Sequence, residues 1–172
     1  MSQEQEIVNK VAQSGIVTLD LEDLIPDLPV SVIDLKDQLF QGLILREKDF
    51  RAFVKEHNWE QYSEHRIVVY CSTDAIIPTW AYMLVTKALE PFSSEIYFCK
   101  PESLDELLAE RAIAKIDPKQ YEDTRVVIKG CGDRLISNHA YVALSTALMP
   151  YVKSLMYGEP CSTVPIYKKP RN

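Results

Sequence analysis

"RIVVYCSTDAIIPTWAYMLVTKALEPFSSEIYFC", residues 66–99, reads as strand, helix, strand. The flanking runs "RIVVYC" (66–71) and "EIYFC" (95–99) are rich in β-branched and aromatic residues, which suit a pleated, half-buried surface. Between them Pro78 fits a first helical position and Pro91 marks the exit. Moving 59 residues along the chain gives the same pattern again, "RVVIKGCGDRLISNHAYVALSTALMPYVKSLMYG" (125–158). Residues 45–101 laid over 104–160 without a gap share 14 identical residues in 57 positions. Chance would give about 3 or 4. The identities include Gln61/Gln120, Tyr62/Tyr121, Arg66/Arg125, Asp74/Asp133, Tyr82/Tyr141 and Pro91/Pro150, which shared apolar patterning does not explain. The two blocks are read as an internal duplication.

Outward from these blocks, "VSVIDL" (30–35) and "SLMY" (154–157) bring the predicted strands to five, with 66–71, 95–99 and 125–130. "LREKDFRAFVKEH" repeats its apolar residues near every 3.6 positions, and "SLDELLAERAIAKI" opens with a capping box of Ser103 and Glu106. "SNHAYVALSTALMPYV" is the fourth helix. Strands alternating with helices imply βαβ units with right-handed crossovers. The expected fold is α/β, a mainly parallel five-stranded sheet flanked by helices, in a single domain over 1–172. Residues 1–28 are expected to form an N-terminal extension, a short helix followed by an extended stretch. "TVPIYKK" is expected at a sheet edge, because Pro165 cannot donate to a central ladder.

A chain of 172 residues with 47% hydrophobic composition buries one good core and is short for two. The formal charge of −6 weighs against a nucleic-acid partner, which calls for a basic footprint. The one basic cluster, Lys168, Lys169 and Arg171, is expected to be a solvated tail. No apolar run reaches the ~18 residues that span a bilayer, and the N-terminus lacks the apolar core of a signal peptide. A cytoplasmic protein with no membrane partner is the expectation, and its four cysteines would then be reduced thiols.

Ligands of open α/β sheets sit at the carboxyl ends of the strands. Asp74 and Asp133 both fall between a strand end and a helix start, where a carboxylate either caps a turn or faces a shared crevice. Cys71, Cys99, Cys131 and Cys161 all fall near that edge in a parallel sheet, with Cys161 aimed back by the turn "YGEPCSTVP" (157–165). Thiolates are soft ligands for zinc, copper(I) or an iron–sulfur cluster. Cys71, Cys131 and Cys161 are the candidate metal ligands, completed by Asp74, Asp133 or His139, with Cys99 the least apt. The competing reading is inert packing, since unpaired cysteine behaves as a small hydrophobe. A second reading is a thiol-dependent enzyme or sulfur carrier using Cys131, which lies between two glycines before a helix, or Cys161. A third is a non-catalytic interaction module, such as a homodimer. No phosphate-binding glycine loop, nucleophile elbow or zincin motif is present, and no complete acid, base and nucleophile set can be read, so enzyme status stays open. His57 and His65 are expected to be solvent-exposed, and Trp80, Tyr82 and Tyr141 to pack in the core.

The segments "LFQGLILREKDFR", "CSTDAIIPTWAYML", "VVIKGC" and "YGEPCSTVPIYKK" together resemble an uncharacterised bacterial family, domain of unknown function 2480, found mainly in the Bacteroidetes. The resemblance runs from about residue 30 onward, and Cys71, Asp74, Cys131 and Cys161 fall within or beside its segments. It implies no established activity. It does imply gene neighbourhoods with iron–sulfur cluster assembly, and with them assembly proteins as partners and a metal- or iron–sulfur-binding accessory role.

Overall fold

The computed structural model describes residues 15–129, 136–159 and 161–170. The chain divides into two compact units, Met1–Pro26 with Asp105–Asn172, and Asp27–Leu104. The second unit is thus an insertion within the first.

The inserted unit runs β2 (Val30–Asp34), α2 (Glu47–Glu56), β3 (Arg66–Tyr70), α3 (Thr79–Leu89) and β4 (Ile96–Phe98). Its three strands are all parallel, in the order β2-β3-β4. Central β3 is buried along Arg66–Val69, as a parallel strand covered on both faces must be. Ile67 and Val69 point to one side, where Ile33, Leu35, Phe50, Ala81, Val85 and Leu89 close a single core. Each such aliphatic side chain, fully buried, stabilises by about 1.5–3 kcal/mol. The buried Arg66 guanidinium donates to Glu95 at 3.2 Å.

The other unit runs β1 (Ile16–Leu19), α1 (Leu21–Leu24), then α4 (Leu104–Ile113), β5 (Arg125–Ile128), α5 (Asn138–Leu148), β6 (Ser154–Glu159) and β7 (Ser162–Lys168). Its strand order is β1-β5-β6-β7, parallel except for the antiparallel β6–β7 pair. β7 takes the expected edge, with Pro165 opposite Met156 beside a register shift.

Two expectations are corrected here. The strands form a four-stranded and a three-stranded sheet rather than one sheet of five. Local apolar patterns identify strands but not which edges meet, and β7 and β1 add to the count. Residues 16–19, set aside as part of an extension, form β1, whose Val17 and Leu19 lie opposite Val126 and Ile128.

Element bounds recur at the 59-residue offset: α3 over α5, the 3₁₀ turn Trp59–Tyr62 over Pro118–Tyr121, and β3 over β5. So does the fine structure. Glu64 and Asp123 both adopt the left-handed conformation, at φ 62° and 52°. Their amides donate to Phe92 and Tyr151 carbonyls, again 59 apart. Buried Ala81, Val85 and Leu89 of α3 correspond to Ala140, Leu144 and Leu148 of α5. No helix among the described residues is long and apolar enough to cross a membrane.

His57, expected in solvent, is half-buried among Phe53, Trp59 and Tyr62, with ring centroids 5.0, 4.5 and 5.7 Å away. Its Nε2 lies 3.0 Å from the Tyr62 hydroxyl. His65 is half-buried too, its Nδ1 2.6 Å from Ser31 Oγ. Burial holds the His57 pKa below its ordinary value. As pH falls through about 6.5 the unfolded chain therefore takes up this proton first, and stability drops until the folded imidazole is charged as well. A urea midpoint that declines from pH 7 toward 5.5 is expected, with the decline flattened in His57→Phe. Equal slopes in both proteins would show that His57 does not carry the effect.

Candidate functional site

In each unit the first described strand runs into an aspartate that caps the next turn. Asp34 closes β2, and its Oδ1 accepts from the amides of Lys36 and Ser72, each at 3.0 Å. Lys36 Nζ stands 3.4 Å from the other oxygen. Burial pushes the Asp34 carboxyl up, but the hydrogen bonds from Ser72 and Lys36 together outweigh it and hold the pKa below the usual range. Asp20 follows β1, and its Oδ1 accepts from the Glu22 amide at 3.0 Å. Lys129 donates to its Oδ2 at 2.6 Å, and that bond lowers the Asp20 pKa against the opposing effect of burial. Both aspartates precede a fully buried leucine, Leu21 or Leu35.

These two carboxylates are the edge residues that the 59-residue comparison missed. A signal existed: "LDLED" (19–23) and "IDLKD" (33–37) share Asp-Leu-x-Asp at an offset of 14. The short motif lies ahead of both long blocks and is invisible to their register.

Of the expected metal ligands, Cys71 follows β3 and is half-buried, its Sγ 3.3 Å from Thr73 Oγ1 and 3.6 Å from the Thr73 carbonyl. Asp74, three residues on, is exposed. Cys161 is exposed in the connection between β6 and β7. Cys131 and Asp133 lie outside the described residues. Cys71 and Cys161 belong to different units. Among the described residues no group of three or more His, Cys, Asp and Glu could hold a metal ion. His139 pairs with Glu110 at 3.2 Å. Cys99 is half-buried.

The aromatic residues expected in the core have a second role. Trp80 does pack on Phe50, ring centroids 5.8 Å apart. Tyr82, packed against the same core, and Tyr141 also form walls of two open grooves. The groove on α3, about 530 Å³, is lined by Thr79, Tyr82, Met83, Thr86, Lys87 and Glu90. The groove on α5, about 380 Å³, is lined by the same six positions moved by 59, Asn138, Tyr141, Val142, Ser145, Thr146 and Met149. In each, the tyrosine meets the sheet through a T-shaped ring contact, Tyr82 with Phe98 at 4.9 Å and Tyr141 with Tyr157 at 5.6 Å. Met83 is 66% exposed, Val142 67% and Phe98 71%. Burial first, and then Cys71 and Asp34, raise the Tyr82 hydroxyl pKa, so the α3 groove and the Asp34 edge share one electrostatic neighbourhood.

The grooves differ in two respects. The sheet residues Ile128, Met156, Tyr157 and Ile166 also wall the α5 groove, whereas α3 and its C-cap Glu90 alone line the other. The α3 rim carries Lys87 and Glu90 where the α5 rim has Thr146 and Met149.

Compared with known proteins, residues 5–169 match the family described as "Protein of unknown function (DUF2480)". No curated protein and no solved structure matches.

Proposed function

The chain thus belongs to the DUF2480 family, and because that membership carries no activity, we propose from the chain's own geometry that it is an internally duplicated, non-catalytic interaction module. In this reading the faces of α3 with β4 and of α5 with β6 dock protein partners. The observation that carries it is the pair of grooves lined at the same six helix positions. Core packing alone keeps Ala81 and Ala140 apolar, but it does not require Met83 and Val142, which stand mostly in solvent. Large apolar and aromatic side chains grouped on an exposed face mark contact surfaces. The duplication is supported by the matching element bounds, the paired left-handed residues and the paired ring contacts.

A photo-reactive residue at position 83 or 142, in the chain expressed in its own host, is expected to give discrete protein adducts. The same residue at exposed Lys48 is expected to give none. Adducts no stronger at 83 and 142 than at 48 would sink the reading.

A metal or iron–sulfur site is the second reading, and its support is the half-buried Cys71 thiol beside Asp34 at the sheet edge. Protein purified without oxygen would then carry stoichiometric zinc, or iron and sulfide, lost in a Cys71/Cys131/Cys161→Ser variant. Metal-free protein that is unchanged by the triple substitution favours the interaction module. The thiol-dependent alternative rests on the exposed Cys161, and selective alkylation of one cysteine at neutral pH would favour it.

A further inference from the structure

Among the described residues β4 is an edge strand, paired with β3 alone. Ile67 N donates to the Glu95 carbonyl at 2.7 Å, so by strand alternation Ile96 and Phe98 turn their backbone groups away from β3. β6, the strand 59 residues on, has that same outer edge filled. β7 lies there antiparallel, with Val164 opposite Tyr157 and Ile166 reaching the α5 groove. Within the inserted unit no described strand takes the place of β7. Residues 96–98 carry neither the charge nor the proline that commonly guards an exposed edge.

We propose that a second copy of this chain covers this edge, the two β4 strands pairing antiparallel across a two-fold axis and the two α3 faces meeting beside it. The proposal rests on the reading of the α3–β4 face as a docking surface, and it names the partner. Three features favour a self-partner. A two-fold axis normal to a sheet makes edge strands antiparallel, which is the sense of the β6–β7 pair. A register centred on Tyr97 sets Ile96 opposite the partner's Phe98, and Phe98 opposite the partner's Ile96. The outward-facing residues then exchange hydrogen bonds and form two β-branched–aromatic pairs. Lys87 and Glu90 stand on the rim of the α3 groove, three residues apart and opposite in sign. A two-fold axis that passes between them brings Lys87 against the partner's Glu90, and Glu90 against the partner's Lys87. α3 lies over β4 through the Tyr82–Phe98 contact, so the groove that Tyr82 shares with Lys87 and Glu90 lies beside the β4 edge. The α5 rim, whose strand edge is already covered, has no charge at these positions. Isologous contact closes at two copies and builds no filament.

Sedimentation equilibrium of the full chain over about 1–100 μM, a range that resolves micromolar association, tests this. The wild-type protein is expected to reach twice the chain mass. Lys87→Glu sets like charges across the axis and should weaken dimerisation at least about tenfold, with an unchanged circular dichroism spectrum. Lys87→Glu with Glu90→Lys restores complementarity only if the partner is the same chain, and should return to within about threefold of wild type. Val142→Glu, on the other groove, should leave the mass unchanged. A monomer throughout, a Lys87→Glu protein that stays dimeric, a double variant as weak as the single one, or a dimer lost in Val142→Glu would each overturn the proposal. If the chain is monomeric but position 83 still gives an adduct with a different protein, self-pairing fails while the docking reading stands. If that adduct is absent as well, both fail.

Discussion

Gly158→Ala is expected to destabilise the protein by about 2–4 kcal/mol, lowering Tm by roughly 4–16 °C. Gly158 lies in β6 at φ +118°, a conformation that L side chains rarely adopt. A Cβ there would stand 2.7 Å from the Ser162 carbonyl oxygen and 3.6 Å from the Thr163 Cα. Both atoms belong to the backbone of β7, so relief means moving a strand rather than turning a side chain. Gly42 is the control. It has φ +70° but nothing within 4 Å of an added Cβ, so Gly42→Ala should cost only about 1 kcal/mol. Thermal unfolding followed by circular dichroism distinguishes the two, and a Gly158→Ala protein within about 0.5 kcal/mol of wild type, the scatter of ordinary surface changes, would contradict the argument. The matching position in the inserted unit is Cys99, just past β4, where that sheet has no further strand. The glycine is required by β7, not by the repeated pattern.

Phe50→Ala is expected to cost about 3–5 kcal/mol, the range for emptying a large buried aromatic site. Phe50 is 1% exposed and meets Phe53 and Trp80 with ring centroids 5.7 and 5.8 Å away. Its counterpart in α4 is Ala109, also 1% exposed. An alanine thus suits a helix at this position, and the loss at residue 50 is one of packing and cavity rather than strain. Both tryptophans of the chain, Trp59 and Trp80, lie in the inserted unit, so their fluorescence in urea reads the right part of the molecule. An unchanged midpoint would mean that the Phe50 site collapses without loss.

The helices and most strands were legible because each carries its own signal. Apolar spacing over 78–92 and 137–152 marks α3 and α5, and Pro165 marks the β7 edge correctly. The sheets were not legible, because pairing joins residues far apart in the chain, and four residues of β1 hold too little pattern to announce a partner. The carboxyl edge was expected to matter, but the 59-residue register brings together Asp74 and Asp133 rather than the carboxylates that cap that edge. Asp34, which ties β2 to the loop after β3 through the Ser72 amide, sits in a five-residue motif with an offset of its own. That Tyr82 and Tyr141 also wall open grooves was not legible, since a tyrosine at helical spacing gives no hint of which ridge faces water. That depends on where β7 ends and where the outer edge of β4 has no described strand beside it.

The insertion of one unit inside the other sets an order in time. Residues 27–104 contain every partner that β2, β3 and β4 need. β1 leaves the ribosome first, yet Ile16 must wait for Arg125, 109 residues later. Throughout that interval a strand with Ile16, Val17 and Leu19 exists without its neighbour, and closing so long a loop falls to the β1–β5 ladder and the Asp20–Lys129 bond beside it. The first of the described strands to be made is therefore among the last that can be paired.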